Sequence, residues 1–439
     1  MDGSASRVDE RLAAGAAGEA ERVIDRLASR PGGTELLELA SERAGVALVG
    51  GSVRDLLDES RIPRELDVVV DHGAQKLAAE LAARLPGNEA RMPETTEHER
   101  FGTASVKWIY GRIDIAERRA ESYPHPGALP DVRPGTIGED LARRDFTVNA
   151  MMVPLGRPQR RELVAVEHAL DDLSARRLRV LHKRSFIDDP TRLLRLARYS
   201  ARLGFEIEAR TARLAHEAIA AGALATVSGA RIAAELWLVT EEPTTEAFMI
   251  LGELGVLEAL SLPTPFDMAL LDDARQLMPP DGVADIVEMG VLFHPAREPS
   301  SEERRAAAQL MEDFEFFAGT RAAVLAGAFD SFALAAEIES ARKPSQLRAA
   351  LAGTRVEAVA IAAALGARRN PEIAKRARRW LDELRGVKLQ ITGADLLAAG
   401  VAEGPEIGRR LRHALDQKLD GEIAAGRDAE LQAALEAQT

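Results

Sequence analysis

Three carboxylates and a group of arginines are the residues of this chain whose types and spacing suit phosphate chemistry. Glu65 and Asp67 stand two apart in Glu65-Leu66-Asp67-Val68-Val69-Val70. The β-branched residues of that run favour a strand, and alternation puts both acids on one face. Upstream, the apolar run Val46 to Val49 feeds a Gly50-Gly51-Ser52 turn, and Val53-Arg54-Asp55-Leu56-Leu57 reads as a first helical turn with Ser52 as its expected cap. A strand, a glycine turn at a helix start and two acids on the next strand make a place to hold a metal-bound polyphosphate. Asp114 lies between Ile113 and Ile115 on another strand-like run. A carboxylate there is costly unless partnered, so it reads as a third acid near the first pair; the alternative is a solvent-facing Asp on an edge strand.

The arginines come later. Arg143 and Arg144 precede Asp145 at the entry to an apolar stretch, where planar forks could clamp phosphate or base, or simply make a surface ion pair. From Asp189, a capping residue, through Pro190, suited to a first helical position, the spacing predicts a helix to Leu203, ended by Gly204. Arg192, Arg195, Arg198 and Arg202 recur along it at three and four residues, forming one stripe, with Leu193, Leu194, Leu196, Ala197 and Ala201 on the packing side. Two readings of the stripe are open: a solvated basic face, or a face that meets a nucleotide together with Asp189.

The elements that must position these residues are short. A helix is expected over 34–44, another over 75–85 with Leu77, Leu81 and Leu85 on one side, and strands over 103–110 and 112–116 joined through Gly111 as a hairpin. Glu121 to Pro130 reads as a proline-rich loop, and residues 1–35 as a polar, weakly helical, frayed leader. Beyond Thr211 the pattern is almost continuously helical, broken at prolines and glycines. At 439 residues the chain exceeds one compact core, and an alanine- and leucine-rich composition with 4% aromatics tilts it towards helices. The absence of cysteine excludes disulfides and thiolate metal sites. No apolar run approaches the roughly 18 residues of a membrane span, and the start lacks a basic-then-apolar secretory pattern, so a cytoplasmic protein is the expectation. The net charge of −13 argues against nucleic acid overall, yet residues 143–210 hold 15 Lys and Arg against nine Asp and Glu, a local net of +6. The eight histidines, His125 and His182 among them, lack metal-ligand companions and read as structural.

Taken in order, GGSVRD at Gly50, the acid-x-Asp strand at Glu65, FGTASV at Phe101, IDIAERRAESYPHPGALP at Ile113, EDLARRDFTVNAM at Glu139, DDPTRLLRLARYSARLGF at Asp188 and ITGADLL at Ile391 resemble the tRNA nucleotidyltransferases of the class shared with bacterial poly(A) polymerases, the CCA-adding enzymes. The resemblance implies an α+β fold: a small mixed sheet with helices as an N-terminal nucleotidyltransferase head, followed by all-α neck, body and tail domains. On this chain those fall at 36–155, 156–240, 241–385 and 386–439, after the leader. It implies addition of C, C and A to tRNA 3′ ends from CTP and ATP, with release of pyrophosphate. Glu65 and Asp67 would bind two Mg²⁺, with Asp114 as the third catalytic acid; Gly50, Gly51 and Arg54 would hold the triphosphate. Arg143 and Arg144 would contact the nucleotide, Asp189 and Arg192 would read the base edge in place of a template, and Arg195 and Arg198 would support the phosphates. The implied partners are the tRNA acceptor arm and nucleoside triphosphates, with no membrane and no obligate protein partner. Addition of CC alone, of the terminal A alone or of a poly(A) tail belongs to the same class; a non-catalytic RNA-binding scaffold is the competitor from another. The chain departs from the family pattern at Glu65, where Asp is usual, at His168-Ala169-Leu170, where relatives carry a glycine pair, and at Asp188, where many have Glu.

Overall fold

The computed structural model describes residues 12–14, 17–87, 92–98, 102–156 and 162–437. Phe101, which opens the FGTASV motif, and most of the first sixteen residues lie outside the described residues. The chain divides into two compact units, Met1–Val227 and Ser228–Thr439.

The first unit is built on a mixed eight-stranded sheet. Its strands are β1 (Leu12–Ala14), β2 (Ala47–Val49), β3 (Leu66–Val70), β4 (Glu94–His98), β5 (Thr103–Trp108), β6 (Gly111–Glu117), β9 (Met151–Pro154) and β10 (Val164–Val166); β7 (Arg119–Ser122) and β8 (Asp131–Pro134) form a separate antiparallel pair across the proline-rich segment. The order is β1-β10-β9-β2-β3-β6-β5-β4, and within it β3 and β6 run parallel while the other pairs are antiparallel. The β5–β6 hairpin forms as expected, but Gly111 pairs with Trp108 as a strand residue, so the turn falls one step earlier.

Period-two burial decides which face of β3 does what. Leu66, Val68 and Val70 pack with Ile113 and Ile115 of β6 into the main core, against α3 (Gly51–Leu57) and α4 (Ala74–Arg84). Val69, on the opposite face, joins Ala47, Val49, Met152 and Leu141, the last from α5 (Ile137–Ala142). Asp67 shares that opposite face by alternation. The helix expected over 34–44 is α2 (Gly33–Ser41), and the one over 75–85 is α4.

The frayed leader is corrected in part. Ala17–Ala28 is a helix, α1, whose Ala20, Val23, Ile24 and Leu27 are buried in the same core. Their three-and-four spacing makes one apolar stripe, enough to dock a helix that propensity alone leaves marginal.

After β10 come α6 (Ala169–Ser174), α7 (Ser185–Asp188) and α8 (Thr191–Leu203), the last ended by Gly204 at φ 63°. His168 takes the left-handed region at φ 68° just before α6. The second unit is helical. Its centre is the helix Val356–Ala367, buried on nearly all sides because Ala and Gly let neighbours approach closely; Gly290 and Gly327 meet beside its Ile361. Among the described residues no helix is long and apolar enough to cross a membrane.

Candidate active site

Parallel pairing of β3 with β6 sets Asp67 directly opposite Asp114 in register. Neighbouring strands lie about 4.8 Å apart, so two acids at one register on one face cannot avoid each other. Glu65, two residues before Asp67, adds a third carboxylate, and ligand oxygens from all three lie within 4.8 Å of one another. The edge-strand alternative for Asp114 is therefore overturned: β6 is an interior strand between β3 and β5. Arg112 donates to Asp114 at 2.8 Å. Burial, and next the Glu65 carboxylate, push Asp67 up to about 7, against the pull of Arg144 and Arg54. Acids this close repel, and a hard divalent cation with oxygen ligands is what relieves them, so the donor set fits Mg²⁺.

The glycine turn lies against this triad. Gly50 sits at φ 70°, ψ −136°, and a Cβ there would come within 2.9 Å of Arg144 Nη1 and 3.6 Å of Asp67 Oδ2. Only glycine suits that conformation and that approach. Ser52 is not the cap: the helix already begins at Gly51, with Gly50 in the cap position. The Ser52 hydroxyl instead accepts the Asp67 N–H at 2.7 Å and donates to the Glu65 carbonyl at 3.1 Å, tying α3 to the start of the acid-bearing strand. Arg54 is buried; its Nε donates to Asp55 at 2.8 Å, Nη1 to Asn149, and Nη2 lies close to Gly51. Burial opposes its charge, and Asp55 more than compensates.

Arg143 and Arg144 make no surface ion pair. Both donate to Asp140, which is fully buried, Arg143 at 2.8 and 3.0 Å and Arg144 at 3.0 Å, and Arg143 reaches Glu121 at 3.1 Å as well. Arg144 Nε finds no hydrogen-bond partner among the described residues. Asp145 accepts from Asn149 at 2.9 Å and from Arg195 at 3.0 Å; burial would raise it, but the Arg195 guanidinium and the Asn149 amide hold it well below the usual carboxylate range.

The stripe on α8 is not wholly a solvated face: Arg195 and Arg202 are partly exposed, while the other two arginines are covered. Arg192 and Arg198 are buried, and the Tyr199 ring lies 5.0 to 5.9 Å from the guanidiniums of Arg54, Arg195, Arg198 and Arg202. The helix starts one residue later than expected: Pro190 holds the cap position and Thr191 the first helical one, and Asp189, just before the cap, accepts from the Thr191 N–H at 3.2 Å and its hydroxyl at 2.6 Å. Arg192 donates to Ser185 Oγ at 2.7 Å and to the Arg143 carbonyl at 2.6 Å. A continuous path thus leads from Asp67 past Gly50 and Arg144 to Arg143, Arg192 and Asp189. Sequence reasoning assigned nothing to Ser185, Asn149, Asp140 or Tyr199. Asp140 and Asn149 lie within the EDLARRDFTVNAM motif, and that was the available signal.

Clustered carboxylates on adjacent strands of a mixed sheet, facing a glycine turn overhung by an arginine, are suited to nucleoside triphosphates, and the class this defines is the nucleotidyltransferases. Residues 46–179 match the Poly A polymerase head domain. A CC-adding tRNA nucleotidyltransferase of Deinococcus radiodurans is 32% identical over 400 residues, spanning 87% of this chain and 88% of that protein. An A-adding tRNA nucleotidyltransferase of Halalkalibacterium halodurans is 40% identical over 234 residues, 52% of each. The structure of a CCA-adding enzyme in complex with ATP is similar with a TM-score of 0.73 at 25% identity, over 94% of this chain and 99% of the other. The chain belongs to the tRNA nucleotidyltransferase and poly(A) polymerase family. It spans about half the length of A-adding relatives that it matches, 52% of the Halalkalibacterium halodurans protein and 45% of one from Geobacter sulfurreducens.

Proposed function

We propose that this protein transfers nucleotides from CTP and ATP to the 3′ end of tRNA without a nucleic-acid template, adding C, C and A and releasing pyrophosphate. The observation that carries the reading is the acid triad beside the glycine turn, joined through Arg144 and Arg143 to Arg192 and Asp189. Glu65 and Asp67 would hold two Mg²⁺, with Asp114 completing the carboxylate set. Bound there, such ions neutralise phosphate charge and favour ionisation of the attacking 3′-hydroxyl. Gly50 and Gly51 leave room for the triphosphate, and Arg54, whose Nη2 lies beside Gly51, supports it. Arg144, with its buried unpaired Nε, and Arg143 present positive charge to sugar or phosphate. Asp189 and Arg192 offer an acceptor and a donor for base edges, while Arg195 and Arg198 keep the phosphate side of the pocket positive. The division into head, neck 156–240, body 241–385 and tail 386–439 belongs to the same proposal, as does a cytoplasmic site of action on the tRNA acceptor arm.

A-only addition is the second reading, favoured by the A-adding relative at 40% identity. Purified protein is incubated with tRNA lacking one, two or three terminal nucleotides and with each triphosphate separately. Restoration of all three nucleotides from CTP and ATP is expected. ATP incorporation onto tRNA ending in CC, with no use of CTP on any substrate, would assign A addition alone. No pyrophosphate from any combination would leave the RNA-binding scaffold.

A further inference from the structure

We propose that Ser185 is a positioning residue for nucleotide selection, its hydroxyl holding the Arg192 guanidinium in the orientation that meets the incoming base. The inference rests on the reading that Arg192 faces the base. An arginine side chain has many rotamers, and one hydrogen bond leaves its planar head able to swing; two acceptors on its two terminal nitrogens fix the plane. Here Nη1 donates to Ser185 Oγ at 2.7 Å and Nη2 to the Arg143 carbonyl at 2.6 Å, while Nε stands 4.0 Å from Asp189 Oδ2. Arg192 is only 4% exposed and Ser185 wholly buried, so solvent cannot replace the lost bond cheaply.

The two acceptors differ in kind. The Arg143 carbonyl is main chain, and its residue is clamped by three side-chain bonds to Asp140 and Glu121. It links the orientation of Arg192 to the arginine pair beside the glycine turn. Ser185 opens α7, whose carbonyl at Ser185 accepts the Asp189 N–H at 3.2 Å, so one short helical turn holds both the support of Arg192 and the backbone of its acidic neighbour. The hydroxyl is the part of this arrangement that a substitution can delete while leaving the backbone alone. A serine kept only for packing would be indifferent to that deletion in every respect except stability.

The test compares full-length wild type, Ser185→Ala, Ser185→Thr and Arg192→Lys on tRNA lacking its terminal nucleotides. The readout is the ratio of kcat/KM for the preferred triphosphate to that for GTP and UTP, taken on one preparation so that a partly folded fraction cancels. Ser185→Ala is expected to lower the ratio about tenfold, which is the lower range for a hydrogen bond to a charged group, and Ser185→Thr, which keeps a hydroxyl, to restore most of it. An unchanged ratio in Ser185→Ala beside a lowered ratio in Arg192→Lys would overturn the role of Ser185 alone. An unchanged ratio in both would overturn the assignment of Arg192 to the base, and this inference with it. An equal fall in rate with every triphosphate, with the ratio intact, would make Ser185 structural and overturn the proposal too.

Discussion

Asp67 is a carboxylate whose charge the folded protein disfavours. Its ordinary value of 3.8 is raised to about 7 by burial and by Glu65. Between those values the folded protein binds a proton that the unfolded chain does not, so the stability this group contributes is present below about pH 4 and is lost as pH rises through 7. The effect is of the order of a few kcal/mol. A divalent cation held by the triad would do the same work as the proton at higher pH. Added Mg²⁺ is therefore expected to raise the Tm more at pH 8 than at pH 5, and Asp67→Asn to remove most of the difference while abolishing nucleotide transfer. Equal Mg²⁺ shifts at the two pH values would exclude the acid triad as the cation site. The Glu65 carboxylate oxygen reaches the cluster with Asp67 and Asp114.

At the scale of elements, the site depends on where α3 meets β3. Ser52 Oγ accepts the Asp67 N–H and donates to the Glu65 carbonyl, so one hydroxyl ties α3 both to Asp67 on β3 and to Glu65 just before the strand. Ser52→Ala leaves that N–H without its acceptor, costing about 1–3 kcal/mol. A lower Tm together with a higher Mg²⁺ concentration for half-maximal rate is the expected outcome; a change in Tm alone would make Ser52 a stability residue with no part in placing the acids. The helix α8 is a second such element. The spacing of its arginines by itself favours a solvated face, and it is Asp145, Ser185 and the Arg143 carbonyl, from other segments, that accept from Arg195 and Arg192.

For the molecule as a whole, the two units carry different titrating groups. In the second, His294 is 8% exposed, lies 3.2 Å from Ser331 Oγ and stacks on Phe332 at a ring separation of 4.9 Å. Burial pushes it down to about 4 from 6.5. The unfolded chain then binds the extra proton in that window, so this contribution is complete above pH 6.5 and falls away as pH drops towards 4, by roughly 3 kcal/mol. His294→Gln is expected to lose less Tm than wild type between pH 7.5 and pH 5; a parallel loss would show that His294 does not set the acid lability of this unit.

What the sequence determined by itself were local matters and their order: a glycine turn after an apolar strand, a second strand bearing Asp67 with Glu65 at its start, a helix ended by Gly204, and a helical second half. These follow from backbone preference and side-chain period, which act over a few residues. The leader was misread because the burial of Val23 and Leu27 depends on a core made by distant strands. Ser52 was misread because its partners, Glu65 and Asp67, stand thirteen and fifteen residues away. Only the tertiary structure placed Asp114 against Asp67, since parallel pairing of β3 with β6 spans 47 residues, and only it buried Arg192 and Arg198 of the arginine stripe. Registers between strands and acceptors for buried guanidiniums are properties of pairs far apart in the chain, and no local pattern encodes them.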